Sequence, residues 1–118
     1  TVFENENVLA FLDIKPIHPG HTLLIPKKHV DNLTVSTPED MNCLAVVLPN
    51  ISRAIMSATK SDGINVGINS GSSAGQLVNH LHIHLIPRQS GRARDWERKS
   101  YSADEAEKVQ AGIKAVIN

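Results

Sequence analysis

The stretch "HLHIHLIPR" at residues 80–88 places histidines at alternate positions, with an apolar residue between each pair. In a β-strand, side chains two residues apart lie on the same face, about 6.6 to 6.8 Å apart. His80, His82 and His84 are therefore expected on one face and the intervening apolar residues on the other. The alternation predicts a strand at 76–87 whose apolar face packs on a core while the opposite face presents imidazoles.

These three histidines are open to three interpretations. They can form the polar side of an ordinary half-buried strand, although three in register by chance are improbable. Two of them can bind zinc through ring nitrogens at about 2.0 to 2.1 Å, but a catalytic zinc needs a third ligand, and the motif holds no carboxylate or cysteine. In the third interpretation, one imidazole attacks phosphorus and its neighbours donate hydrogen bonds to phosphate oxygens. A row of ring nitrogens suits an extended anion such as a nucleotide phosphate chain.

The patterns on either side of this strand predict an α+β domain. Thr37, Pro38 and Asp40 match the N-terminus of a helix, and the apolar residues that follow recur every three or four positions. Pro49 is expected to kink this long helix. Three further strands are predicted at 7–14, 21–27 and 64–69, an irregular segment at 88–99, and a C-terminal helix at about 102–117 that begins with a Ser102–Glu105 capping box. This order favours helices packed on an antiparallel sheet.

Length and composition limit what the domain can do. The 118 residues are enough for one hydrophobic core, so a single domain is expected over 1–118. Lysine plus arginine and aspartate plus glutamate number 12 each, so no excess charge attracts a nucleic acid or an anionic membrane. No run approaches the roughly 18 apolar residues of a membrane span. Cys43 is the only cysteine, which excludes an internal disulfide and favours the cytoplasm.

Two further stretches accompany the histidine strand. "NSGSSAGQ" at 69–76 is rich in small residues, whose main-chain N–H groups can turn toward an anion. "FLDIKPIHPGHTLLIPKKH" at 11–29 contributes more histidines beside two predicted strands. In this combination, over about residues 8–88, the chain resembles the histidine triad (HIT) family, in particular its microbial Hint-like branch. The motif of histidines alternating with apolar residues is highly specific for that family.

The resemblance implies a fold, an assembly and an activity. The fold is HIT-like, with an antiparallel sheet that continues across a homodimer. The activity is that of a nucleotide hydrolase or transferase that works on the α-phosphorus of a purine nucleotide through a covalent nucleotidyl-histidine. A nucleoside 5′-phosphoramidase acting on AMP-amine conjugates is the leading expectation. The alternatives are a dinucleoside polyphosphate hydrolase of the Ap3A or Ap4A type and a nucleotide-binding scaffold with vestigial catalysis.

The resemblance also assigns roles to residues, carried over position by position. His82 matches the nucleophile, His80 the first member of the triad, and His84 and His21 the imidazoles that contact phosphate oxygens or support the site. Asp13 matches the acid that holds the ribose hydroxyls. The remaining matches are Phe11, Leu12 and Ile14 around the base and sugar, Asn69 near the scissile phosphate, and Gly75, Gln76 and Leu77 on the phosphate-binding turn.

Two departures from the family pattern bear on chemistry. Many relatives carry a serine or threonine, thought to help the leaving group, where this chain has Leu77. Many microbial relatives also join a Cys-x-x-Cys segment to two histidines around zinc. The matching histidines are His29 and His80, but the cysteine pair is absent, and the chain opens on Thr1 without a methionine. A structural zinc is therefore expected only in a longer native chain, and no cofactor is required, although Mg²⁺ can accompany a polyphosphate substrate.

Overall fold

Alternating apolar residues form five antiparallel strands in the computed structural model, which describes residues 1–117. They are β1 (Phe3–Glu4), β2 (Val8–Leu12), β3 (Thr22–Pro26), β4 (Gly63–Ile68) and β5 (Ile83–Arg88). Their order across the sheet is β1-β2-β3-β5-β4. The histidine strand β5 therefore lies inside the sheet, between β3 and the edge strand β4.

The register of the strands decides which side chains share a face. Phe11 on β2 pairs with Leu23 on β3, Leu23 pairs with His84 on β5, and His84 pairs with Gly67 on β4. Directly paired residues project from the same side of a sheet. These positions define one surface of the sheet, called here the histidine face, and the core lies on the opposite side.

Two helices supply the other half of the core. Helix α1 (Pro38–Thr59) begins as predicted: the Thr37 hydroxyl accepts from the Asp40 N–H, and the Asp40 carboxylate accepts from the Thr37 N–H. On the apolar stripe of α1, Leu44 and Ile51 are fully buried in the core, and Met41 and Leu48 are partly buried against it. Helix α2 (Glu105–Val116) packs against α1 and contributes the buried Ile113 to the same core. The predicted α+β architecture is confirmed.

Two predicted boundaries are wrong, and one strand was missed. The strand expected at 76–87 begins only at Ile83, because the chain before it turns away from the ladder and the Leu81 N–H donates to the Val30 carbonyl instead. The two-residue strand β1 was not predicted. The C-terminal helix begins at Glu105 and not at Ser102, because Asp104 has a left-handed φ of 68° that interrupts a helix.

Helix α1 also corrects the expectation about membrane spans. Within residues 1–117 it is the one helix that is long and apolar enough to cross a membrane by length and composition alone. A core helix of a globular protein satisfies the same criteria. The apolar stripe of α1 packs on the sheet and on α2, with Leu44 and Ile51 fully buried, which is the arrangement of a core helix.

Candidate functional site

His82 and His84 meet on the histidine face. His84 belongs to β5 and His82 lies directly before it, and their ring centroids are 4.9 Å apart. Although the ladder begins only at Ile83, burial still alternates from residue 80 onward, so the histidines are half-buried and the apolar residues between them are buried. The three histidines therefore share one side of the chain, as predicted, although only His84 lies within a regular strand.

The proton on His84 is fixed by a chain of hydrogen bonds. The Ile17 N–H lies 3.1 Å from His21 Nδ1, and because a main-chain N–H can only donate, Nδ1 must be the acceptor. Neutral His21 then carries its proton on Nε2 and donates it to His84 Nδ1 at 2.9 Å. His84 in turn carries its proton on Nε2. The ring of His84 therefore offers a donor on its free side.

The proton on His82 is fixed in the opposite sense. His82 Nδ1 lies 2.8 Å from the carbonyl oxygen of His80, and a carbonyl can only accept. Nδ1 must therefore carry the proton, which leaves the lone pair of a neutral ring on Nε2. This is the main-chain acceptor that a nucleophilic histidine requires. Two identical side chains thus differ in function: His82 presents a lone pair and His84 presents an N–H.

Burial keeps the supporting histidines neutral. His21 is completely buried, and this burial is the main reason that its pKa falls from 6.5 to about 4, with Asp13 acting in the opposite direction. Burial also lowers the pKa of His84, and the nearby His82 and Arg98 lower it further. Because His21 has no exposed surface, it supports His84 and does not itself contact a ligand.

A groove of about 410 Å³ lies on one side of these rings. Its walls are almost entirely apolar, with Phe11, Leu23 and Ile25 from the sheet and Val78 from the segment before β5. His80 and His82 of the triad also line this groove. An apolar groove that ends at polar groups is suited to a flat, weakly polar ring whose polar substituent reaches the histidines.

A second cavity of about 250 Å³ lies on the other side of His84. It is more polar, and it is lined by Asn65 and Asn69 as well as by Trp96 and the guanidinium-bearing Arg98. Asn69 was predicted near the reacting group, and the structure brings it to the same cavity as His84. The triad therefore stands between an apolar groove and a polar cavity.

Asp13 is beside the histidines but is already engaged. Its Oδ1 accepts from the Lys15 N–H at 2.9 Å, the turn-capping role that the position before Lys-Pro suggests. Its Oδ2 accepts from the Arg98 guanidinium at 2.5 Å and lies 3.8 Å from His21 Nε2. The carboxylate is 13% exposed. Asp13, His21 and His84 are close enough to hold a metal by distance, but these hydrogen bonds satisfy the group without one.

The turn at 69–77 offers fewer amides than expected. The Gly75 N–H donates to the Ser72 carbonyl and the Gln76 N–H to the Gly71 carbonyl. The Gln76 side chain is buried and bonded to the Asp31 and Val78 carbonyls. Of the three predicted amides, only that of Leu77 has no hydrogen-bond partner among residues 1–117. The other two donate to carbonyls in and beside the tight turn Ser72–Ala74.

Two residues expected near the base lie elsewhere. Leu12 is on the opposite side of β2 from Phe11 and packs against the core, as strand alternation requires. Ile14 is 79% exposed and lines neither cavity. Leu77, on the predicted phosphate-binding turn, is 93% exposed, so its side chain does not pack in the core of this chain.

His29 and His80 form a separate pair, as predicted. His80 Nε2 lies 2.8 Å from the Pro26 carbonyl and His29 Nε2 lies 2.7 Å from the Asp31 carboxylate, so both outer nitrogens act as donors. The two Nδ1 atoms then face each other at 3.3 Å. In the neutral rings both carry lone pairs, so the pair requires a shared proton or a metal ion between them.

Sequence reasoning missed the part of the site that follows β5. Trp96 and Arg98 line the cavity at His84, and the Arg88 guanidinium lies 4.7 Å from the centre of the Trp96 ring. The segment is irregular, as predicted, and so has no periodicity that would place it. The only available signal is the crowding of arginines, a lysine and the single tryptophan at 92–99.

Comparison with known proteins gives consistent matches. A family model described as the HIT domain matches residues 1–91. "Protein hit" of Bacillus subtilis is 46% identical over 87 residues, which cover 74% of this chain and 60% of that protein. "Adenylylsulfatase HINT3" of Arabidopsis thaliana is 41% identical over 88 residues, covering 75% of this chain and 45% of that protein. The chain thus spans less than two thirds of the length of these relatives.

A solved structure matches over almost the whole chain. The crystal structure of a hypothetical histidine triad nucleotide-binding protein from Sulfolobus tokodaii superposes with a TM-score of 0.89 at 37% identity. The alignment covers 98% of this chain and 80% of that one. The sheet order and the two helices described above are therefore those of an experimentally observed fold.

Proposed function

The chain belongs to the HIT domain family, and we propose that it hydrolyses a purine nucleotide at the α-phosphorus through a covalent nucleotidyl-histidine. The observation that carries the proposal is the opposite protonation of two adjacent rings. His82 presents a lone pair on Nε2 because His80 holds its other nitrogen, and His84 presents an N–H because His21 holds its other nitrogen. A nucleophile thus stands beside a donor for phosphate oxygens.

The reaction then runs in two steps. In the first, His82 Nε2 forms a bond to the α-phosphorus while the bond to the leaving group breaks, and the departing atom takes the electron pair and a proton from water or from the substrate. In the second, water attacks phosphorus, the P–N bond breaks, and a 5′-monophosphate is released. The His84 N–H and the Leu77 N–H stabilise charge on the non-bridging oxygens. A neutral imidazole brings no further negative charge to an anionic substrate.

The surroundings support a nucleotide as the substrate. The apolar groove at Phe11, Leu23 and Ile25 is suited to a purine base. Asp13 lies beside the same histidines, where a carboxylate can accept hydrogen bonds from ribose hydroxyls once Arg98 yields its place on Oδ2. We further propose that the substrate is a nucleoside 5′-phosphoramidate, so that the enzyme is a phosphoramidase of AMP-amine conjugates.

One observation favours a second candidate. Arg98 lines the polar cavity at His84, and the neighbouring Arg88 has a buried Nη2 without a hydrogen-bond partner. Guanidinium groups suit an anionic leaving group better than an amine. A dinucleoside polyphosphate hydrolase is therefore the alternative enzyme, with Mg²⁺ bound to the substrate's phosphates. A vestigial, purely nucleotide-binding protein is less consistent with the intact set of histidines.

We also propose a homodimer located in the cytoplasm. The strand β4 is an edge of the sheet, so one row of its main-chain groups lacks a strand partner within residues 1–117. An apolar groove beside it is lined by Met41 and Leu48 of α1 and by Val66 of β4, which is 47% exposed. A second copy pairing along β4 would cover both. Light scattering of Val66→Lys against the native chain tests this, since a charge at that position should yield monomers.

The pair of His29 and His80 fits half of a structural zinc site. Their Nδ1 atoms are 3.3 Å apart, about the separation of two tetrahedral ligands at 2.0 to 2.1 Å from one ion. Both outer nitrogens donate to oxygen acceptors, as zinc-bound histidines commonly do. A zinc ion there would join the segment after β3 to the segment before β5. Residues 1–117 offer no further cysteine or histidine at this pair.

One set of assays tests the activity. The native chain and His82→Ala are incubated with an AMP-amine conjugate and, separately, with a diadenosine polyphosphate, and mass spectrometry follows the covalent intermediate. Turnover and a nucleotide adduct on His82 are expected for the native chain, and AMP binding without turnover for the variant. Asn79→Ala, an exposed neighbour, is the control and should keep full activity. Substantial turnover by His82→Ala, or an adduct on another residue, would refute the mechanism.

A further inference from the structure

The segment at 95–101, here called the clamp segment, lies across the loop that carries His21. It has no regular secondary structure, yet it is hydrogen-bonded to the loop along its length. Arg98 donates to the Lys15 carbonyl at 2.9 Å, and the Tyr101 hydroxyl accepts from the Gly20 N–H at 3.0 Å. The clamp segment lies beyond residues 1–91, which are those matched by the family model.

Lys99 makes the central contacts of the clamp segment. Its main-chain N–H donates to the Pro16 carbonyl at 2.7 Å, and its ammonium group donates to the Ile17 carbonyl at 2.7 Å. The ammonium group is itself held by the Asp95 carboxylate at 2.8 Å and the Glu97 carbonyl at 3.1 Å. Lys99 therefore restrains the peptide groups on both sides of Ile17.

One of these peptide groups is also the donor that orients the histidines. The Pro16 carbonyl and the Ile17 N–H belong to the same planar peptide unit. The main-chain N–H of Lys99 binds the carbonyl end of this unit, and the N–H end of the unit donates to His21 Nδ1 at 3.1 Å. The ammonium group of Lys99 binds the carbonyl of the next unit, that of Ile17. A hydrogen bond at one end of a peptide unit polarises the group and strengthens donation at the other. The restraint at Lys99 thus reaches His84 through His21.

We propose that Lys99 is a positioning residue of the histidine site: its ammonium group on the Ile17 carbonyl and its main-chain N–H on the Pro16 carbonyl together fix Ile17, so that His21 and His84 each keep their proton on Nε2. The proposal rests on the proposed function for its effect on turnover, but not for its effect on the rings. Without the ammonium group, the Ile17 carbonyl loses its partner and only the main-chain bond to Pro16 remains, so the Ile17 N–H is aimed less firmly at His21. His84 then loses the restraint that keeps its N–H toward the substrate.

The other bonds from the clamp segment to the loop, at Lys15 and Gly20, act at residues other than Pro16 and Ile17. Gly20 has a φ of 98°, and a Cβ atom there would lie 2.6 Å from the Thr59 side chain, so the end of the loop is fitted closely against α1. The Pro16–Ile17 unit lies away from that contact. Within residues 1–117, the Pro16 carbonyl accepts only from the main-chain N–H of Lys99, and the Ile17 carbonyl accepts only from its ammonium group. Of these two bonds, only the one from the Lys99 ammonium group can be removed by a substitution.

The test combines NMR with kinetics. Long-range ¹⁵N–¹H spectra of the imidazole rings report which nitrogen carries the proton in the ligand-free protein. The variants are Lys99→Met, which removes the ammonium group but keeps the length of the chain, and Lys99→Arg, which restores a donor. Lys108→Met removes the same charge from the exposed face of α2 and serves as the control. Lys99→Gln replaces Lys99→Met if the latter does not fold.

The native chain and the control should show His21 and His84 as single Nε2–H forms. Lys99→Met should show mixed forms of both rings, with kcat about tenfold lower, the order of one lost hydrogen bond, and KM within about twofold. Lys99→Arg should recover most of kcat. A single Nε2–H form with unchanged kcat in Lys99→Met would overturn the proposal, as would equal losses in Met and Arg accompanied by a lower Tm. Should the native chain show no turnover, the proposed function fails while the ring spectra still decide the role of Lys99.

Discussion

Mild acid should destabilise this protein through His21. The ring is completely buried, and burial lowers its pKa from 6.5 to about 4. Between these two values the unfolded chain binds a proton at this position and the folded chain does not. The free energy of unfolding therefore falls as the pH drops from about 6.5 to about 4, and the loss is complete below the folded pKa.

The size of the effect follows from the shift. At ~1.36 kcal/mol per pKa unit, a fall from 6.5 to about 4 corresponds to about 3 kcal/mol in total, of which about 2 kcal/mol is lost by pH 5. This is a large share of the 5–15 kcal/mol that typically separates folded from unfolded domains. His84, whose pKa is also lowered by burial, adds to the loss in the same direction.

The assay is urea unfolding at pH 7 and pH 5 of the native chain and of His21→Asn, whose amide oxygen can accept from Ile17. The variant is expected to be less stable at pH 7, but it should lose about 2 kcal/mol less than the native chain between the two pH values. Carboxylates common to both proteins cancel in this comparison. Equal losses in the two proteins would refute the argument that a neutral, buried His21 supports the site.

Three further changes test the residues around the triad. Asp13→Ala should weaken ribonucleotide binding by ~1.5 to 3 kcal/mol, the range for hydrogen bonds to charged groups, and weaken a 2′-deoxy analogue less; equal losses in calorimetry would contradict the ribose role. Leu77→Ser should raise kcat/KM for an alkyl phosphoramidate, within the ~10² to 10⁴ that positioned proton transfer supplies, and raise it less for an aryl ester. Equal changes for both substrates would contradict this. Zinc added to the chain should shift the ring ¹⁵N signals of His29 and His80 together, and His29→Ala should abolish the shift at His80, whereas an unmoved His80 signal at saturating zinc would contradict the site.

Local patterns predicted the elements whose causes are local. The start of α1 follows from Thr37 and Asp40, which bond to each other's main chain within one turn. The alternation of histidines with apolar residues predicted which side chains are buried and which lie on the histidine face. That prediction does not require the residues to be paired in a sheet. The start of β5 could not be predicted, because it depends on a bond from Leu81 to the distant Val30 carbonyl.

For the candidate site too, the histidines could be predicted from the sequence, but the long-range partners of the site residues could not. The identity of the histidines could be taken from the motif and from the resemblance to the HIT family. The hydrogen bond from Arg98 to Asp13 could not be predicted, because the two residues are far apart in the sequence and Arg98 lies in a segment without periodicity. The same holds for the amides of Gly75 and Gln76, which the turn itself consumes.

The roles of the individual histidines are set by main-chain groups that no motif contains. His82 and His84 are chemically identical side chains two residues apart, and alternation alone gives both the same facing. One carbonyl, that of His80, leaves the lone pair of the first ring on Nε2, as the proposed nucleophile requires. One N–H, that of Ile17, makes the second ring a donor through His21. The site therefore depends on the shape of the 13–20 loop as well as on the histidines, and a chain that kept every histidine but lost that loop geometry should keep the lone pair of His82 and lose the fixed donor on His84.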